Sequence, residues 1–194
     1  MLYTLPKSVE IDGTEFPIRY DFRCILDIIE AMNDPDLSDD DKALATLQIF
    51  YPDYEAIKNY DEALKQCFWF IDCGDTRPRK KKPRLIDWES DFEYIIAPVN
   101  RVLGYEARAV EYNAQENTGG LHWWTFVSAY MEIGGDCLLS TIVSIRDKQA
   151  RGKKLEKYER EWARNNADLL RIKQRFSESD DEMLKQWTGG GNNG

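Results

Sequence analysis

The stretch Leu121 to Ile133 constrains this chain most, because it predicts a helix that is apolar around nearly its whole girth. Its polar residues, His122, Thr125, Ser128 and Glu132, recur at steps of three, three and four. On a helix that spacing makes one narrow stripe. The remainder is Trp123, Trp124, Phe126, Val127, Tyr130, Met131 and Ile133. A helix of this kind lies in the middle of a bundle. Each large aromatic buries about 150–250 Å², so this helix is expected to dominate the core. Trp and Tyr also anchor interfaces, which leaves a partner groove as the second reading, with Trp123, Trp124, Phe126 and Tyr130 as contacts.

The elements before it read in order. Val9 and Ile11, then Phe16 and Ile18, alternate with polar residues around Asp12-Gly13. An Asp-Gly loop supplies the positive φ angles of a type I′ turn, so residues 9–18 predict a hairpin. Pro17 lacks an N–H and makes the second strand an edge there. Phe22, Ile25, Leu26 and Ile29 form the stripe of a first helix. Ser38 can cap a second, with Asp39, Asp40 and Asp41 in the first turn, where carboxylates suit the helix dipole. A third runs from Tyr60 to Cys73. A fourth spans Asp91 to Leu103, and Pro98 is expected to kink or split it. Residues 112–120 read as a loop. A helix after Asp136 carries Leu139, Ile142 and Val143 on its apolar stripe.

The C-terminal region predicts a long charged helix over Lys153 to Phe176. Leu155, Tyr158, Trp162, Asn165, Leu169, Ile172 and Phe176 follow alternating steps of three and four, a heptad seam with one polar position. The seam either docks on the chain's own bundle or pairs with another chain. Leu155, Tyr158, Trp162, Leu169 and Ile172 are therefore further candidate contacts, and self-association is an expectation.

Charge narrows the function classes. The net charge is −9, which disfavours nucleic acid and anionic membranes as partners. Residues 1–75 hold 6 Lys/Arg against 17 Asp/Glu, so the N-terminal part attracts basic partners. Residues 75–84 carry two prolines and six Lys/Arg, which reads as a solvated linker. No run of about 18 apolar residues exists, and Met1 to Pro6 lacks the pattern of a secretory signal. The chain is expected to stay in the cytosol, with Cys24, Cys67, Cys73 and Cys137 reduced.

Candidate chemistry is sparse. The four cysteines lack close CxxC spacing, and His122 is the only histidine, so no metal or cofactor is expected. Asp34, Asp36, Ser38 and Asp40 alternate like the start of a calcium loop, but Asp39 and Ala45 stand where its Gly and Glu belong. Helix capping explains them better. No G-x-S-x-G or phosphate loop is present, and no catalytic residue is assigned.

Three stretches resemble a known family. One is Val9-Glu10-Ile11-Asp12-Gly13 with Pro17-Ile18 and Asp21-Phe22-Arg23. The second is Asp91-Phe92-Glu93-Tyr94-Ile95 with Gly104-Tyr105. The third is Leu121-His122-Trp123-Trp124-Thr125-Phe126, then Ile142-Val143-Ser144-Ile145-Arg146 and Gly152-Lys153-Lys154-Leu155. Together they resemble the bacteriophage gene-product-fifteen family of long-tailed phages, over residues 3–176. Its members are encoded beside the tape-measure protein of the tail. The resemblance implies a tail assembly chaperone that keeps the tape-measure chain soluble in the host cytoplasm, is absent from the mature virion and has no catalytic residues. Other tail assembly proteins are further implied partners.

The expected fold is α+β, mainly α: an N-terminal β-hairpin packed on a multi-helix bundle. Residues 1–176 are read as one domain with an internal linker at 75–90, and 177–194 as a flexible tail. A structural tail component and a small hydrolase using His122 are the rival functions.

Overall fold

The computed structural model describes residues 3–77 and 83–172. Asp12 and Gly13 take φ angles of +50° and +79°, as a type I′ turn requires. They join strand β1 (Ser8–Ile11) to β2 (Thr14–Pro17) in antiparallel register, with Val9 opposite Phe16 and Ile11 opposite Thr14. Val9 and Ile11 are buried, and β1 packs on α3 (Tyr60–Ile71). A two-stranded ribbon needs such support to persist.

Helices α1 (Phe22–Asn33) and α2 (Asp39–Phe50) pack on each other, and α3 on α2. Ser38 caps α2 by accepting the Asp41 N–H, with the three aspartates in the first turn. Helix α4 (Phe92–Leu103) packs on α5 (Trp123–Met131). Helices α6 (Leu138–Ala150), α7 (Lys157–Asn165) and α8 (Ala167–Leu170) follow. The fold is α+β, mainly α. One apolar core draws on β1 and on α1 through α6, with Phe70, Ile95 and Phe126 fully buried in it.

Polar groups close the helix ends inside this core. The last carbonyls of a helix have no intrahelical donor. Trp123 donates its indole N–H to Ile71 O at 2.9 Å, and Trp124 donates to Phe70 O at 2.8 Å, so adjacent indoles cap α3. Arg19 does the same for α2, donating to Gln48 O and Ile49 O at 2.8 and 3.0 Å. Asp21, fully buried, caps α1 through Arg23 N and accepts the Leu121 N–H at 2.8 Å. Gly120 passes so close that a Cβ would stand 2.5 Å from Asp21 Oδ2.

Five sequence expectations are corrected or narrowed. The long charged C-terminal helix is replaced by α7 and α8, which meet at a break at Asn166 (φ −129°, ψ 38°). Leu155 precedes α7 and Ile172 follows α8, so the candidate seam does not share one helix; Phe176 lies outside the described residues. Of the two outcomes expected at Pro98, splitting does not occur: helix α4 runs through it, with its ring buried beside Ile95, Ile96 and Val99. The expected loop contains a second hairpin, β3 (Tyr112–Asn113) with β4 (Thr118–Gly119), too short for any period to show. Helix α5 covers Trp123–Met131, shorter at both ends than the expected Leu121 to Ile133. Of the expected linker, residues 78–82 lie outside the described residues, whereas Ile86 and Trp88 pack on the core and Asp87 is buried. The tail expected at 177–194 also lies outside them.

Candidate functional site

Helix α1 carries more apolar surface than one buried face can use. Phe22, Ile25 and Ile28 are buried in the core, while Leu26 and Ile29 lie one step round the helix and stay half-buried. They form one wall of a groove of about 640 Å³. Ile86, Trp88 and Phe92 form the other. Both walls are apolar and the rim is charged, with Asp27 and Glu30 on α1 and Arg84 and Glu89 across from them.

The far wall is fixed by one arginine. Arg146 on α6 is 4% exposed and uses every N–H of its guanidinium. Two bonds reach the Asp91 carboxylate, at 2.6 and 3.0 Å. The others reach Leu85 O, Leu169 O and Leu170 O at 2.9, 2.7 and 3.3 Å. Asp91 also accepts the Asp87 N–H at 2.9 Å. The segment 85–91 is thereby pinned to α6 and to the end of α8. Trp88 then stacks edge-on against Trp123 and tilts over Tyr130, with ring centroids 6.0 and 5.2 Å apart.

The rim arginines already have partners. Arg23 holds Asp21, Arg84 holds Asp87 and Arg108 holds Glu106. Asp27 differs: it is exposed on the rim, and the charges that act on its titration are those of Glu30 and Asp21. Loss of hydration, then those two charges, pushes its carboxyl above the ordinary carboxylate range. The groove therefore offers apolar walls and an acid that would be stabilised by an incoming cation.

His122 stands elsewhere. It is the N-cap of α5 and not part of its polar stripe. Its Nδ1 accepts the Trp124 N–H at 3.1 Å, and its Nε2 lies 2.8 Å from Pro6 O. These partners assign the neutral tautomer with the proton on Nε2. The ring stacks on Tyr20 at 5.4 Å. Both nitrogens are thus engaged by backbone. Burial is the main cause holding the His122 pKa below its ordinary 6.5. The unfolded chain then takes up the proton before the folded chain does. His122 contributes its full stability above about pH 6.5 and loses it as the pH falls below that. Urea titrations from pH 7.5 to 5 should show a midpoint that drops faster in the wild type than in His122→Gln. Parallel curves would contradict the capping role.

Burial divides the nine candidate contact residues. Trp123 and Phe126 are core residues, 3% and 0% exposed, and cannot meet a partner without unfolding. Trp124 and Tyr130 are half-buried, and Tyr130 reaches the groove only through Trp88. Tyr158 and Trp162 line a second, smaller hollow of about 310 Å³ against α6. Tyr158 is 71% exposed, while Leu155, Leu169 and Ile172 are half-buried. None of the nine lines the groove. The groove residues Phe22, Leu26 and Ile29 belong to the single stripe read for the first helix, which does not by itself separate a core face from an open one. The signal was the width of the stripe: with Ile25, Ile28 and Met32 it covers more than one face.

Cys24 and Cys67 are buried thiols whose pKa burial pushes up, as small apolar residues would show. Among the described residues no group of three or more His, Cys, Asp and Glu could hold a metal, and no helix is long and apolar enough to cross a membrane. A family model described as Bacteriophage Gp15 protein matches residues 1–171. No curated protein and no solved structure matched the chain.

Proposed function

Because the chain belongs to the Bacteriophage Gp15 protein family, we propose that it is a tail assembly chaperone that binds the phage tape-measure protein and keeps it soluble until the tail tube forms around it. The observation that supports this most directly is the open apolar groove between α1 and the segment 84–92. A tape-measure chain that is long and helical exposes apolar faces before assembly, which is an aggregation hazard. An apolar groove covers such faces by helix-in-groove binding. The net charge of −9 keeps the carrier itself in solution. His122, engaged through both nitrogens, gives the rival hydrolase reading no free general base.

Co-expression with fragments of the adjacent tape-measure gene tests this. The soluble yield of the fragment should rise, and a complex should survive gel filtration. Unchanged solubility with no complex would refute it. Mass spectrometry of purified particles gives a second check, since a fixed number of copies per virion would indicate a structural tail component.

A further inference from the structure

We propose that the α1 groove takes an amphipathic helix of about three turns from the partner, with a lysine or arginine of that helix set against Asp27. This rests on the chaperone reading and names the chemistry of its partner.

Three features favour a helix. The α1 wall presents Leu26, Ile29 and Asn33 at steps of three and four, one helix face, with the buried Phe22 ring continuing the same line at the base of the groove. Its length, at about 1.5 Å per residue, matches about three turns of a second helix lying alongside. The third feature is the state of the backbone. The amides of α1 are spent within the helix, and in the far wall Leu85 O, Asp87 N, Glu89 N and Ser90 N are already bonded. An extended peptide would find these groups taken and would have fewer partners for its own amides. A helix satisfies its own backbone and needs only side-chain contact.

The charge follows from what the rim has already used. Arg23, Arg84 and Arg108 are each held by an acid, so an acidic occupant gains little from them. Asp27 is exposed on the rim one turn from Glu30, and a cation there faces both carboxylates. The preferred occupant is an amphipathic helix whose apolar stripe is flanked by a basic residue.

Binding of the full chain to fluorescently labelled helical fragments of the adjacent tape-measure protein tests the site. Leu26→Asp should weaken binding about tenfold or more, because it places a charge on the apolar wall. Asp27→Lys should weaken it about threefold, and reversing the facing basic residue in the fragment should restore it. Met131→Asp, on a residue 77% exposed and away from the groove, should leave affinity unchanged. Circular dichroism confirms that each variant is folded, and Asp27→Lys serves if Leu26→Asp is not. In amide spectra the Trp88 indole signal should shift on binding, while those of Trp123 and Trp124, bonded to α3 carbonyls, should not. If fragments bind the wild type and both groove variants equally, the groove assignment fails and the chaperone reading stands. If no fragment binds the wild type, both fail.

Discussion

Arg146→Ala should lower the unfolding free energy by about 3–5 kcal/mol, among the largest effects of any single change outside the aromatic core. The loss has two sources. Asp91, 2% exposed, is left as a buried carboxylate without its counter-ion. Leu85 O, Leu169 O and Leu170 O also lose their donors, so the far wall of the groove and the end of α8 come loose together. Asp91→Ala should cost a similar amount for the mirror reason. The two changes should not add, because each destroys the same pair. The double variant with apolar replacements, Arg146→Met with Asp91→Leu, should recover part of the loss but not all, because Met cannot donate to the three carbonyls. Urea melts read all four forms. Full recovery in the double variant would reduce Arg146 to a counter-ion and remove the clamp.

The pair also shows why the resembling stretches lie where they do. Asp91 opens the second stretch and Arg146 closes the middle part of the third, and the fold joins them bidentately. Asp21 and His122, from the first and third, meet as an isolated bridge: Phe22 donates to Leu121 O and Trp123 to Tyr20 O, at 3.0 and 2.8 Å. Residues far apart in sequence thus serve as the joints between elements. Family resemblance pointed at them without saying what they do; in the fold they tie elements together.

Local signals read well where one residue type has one use. Asp12-Gly13 had to be a turn, and Ser38 before three aspartates had to be a cap. Legibility failed where sequence spacing has two outcomes. The heptad from Leu155 to Ile172 is regular, yet the backbone breaks at Asn166, whose side-chain amide donates to Trp162 O, and beyond the break Leu169 O and Leu170 O turn toward the Arg146 guanidinium. Nothing local announces a donor that comes from 23 and 24 residues earlier in the chain. Pro98 did not split α4, where its ring is buried among Ile95, Ile96 and Val99. The groove stayed hidden because its second wall, Ile86 to Phe92, follows a run of lysines, arginines and prolines that reads as solvated. Asp87 and Trp88 were the residues that should have questioned it. A carboxylate that bonds two following amides makes an Asx turn, and a tryptophan beside it needs cover.

Phe126→Ala should cost about 3–5 kcal/mol, because the site cannot collapse around the lost ring. Phe126 is 0% exposed, and its ring lies parallel to that of Phe22 with centroids 4.6 Å apart. Trp123 stacks on it from the preceding turn at 5.8 Å, and Trp88 tilts over it at 6.4 Å. These partners belong to α1, α5 and the far wall, so the ring is the keystone under the groove floor. Truncating it should weaken fragment binding only to the extent that it unfolds the chain, and binding per folded molecule should hold. Met131→Ala, on the same helix but 77% exposed, should change stability by less than about 0.5 kcal/mol. Paired melts of the two variants place α5. A large loss for Phe126 and none for Met131 makes it a core helix, and equal small losses would put its aromatic face on the surface and return it to the list of partner contacts.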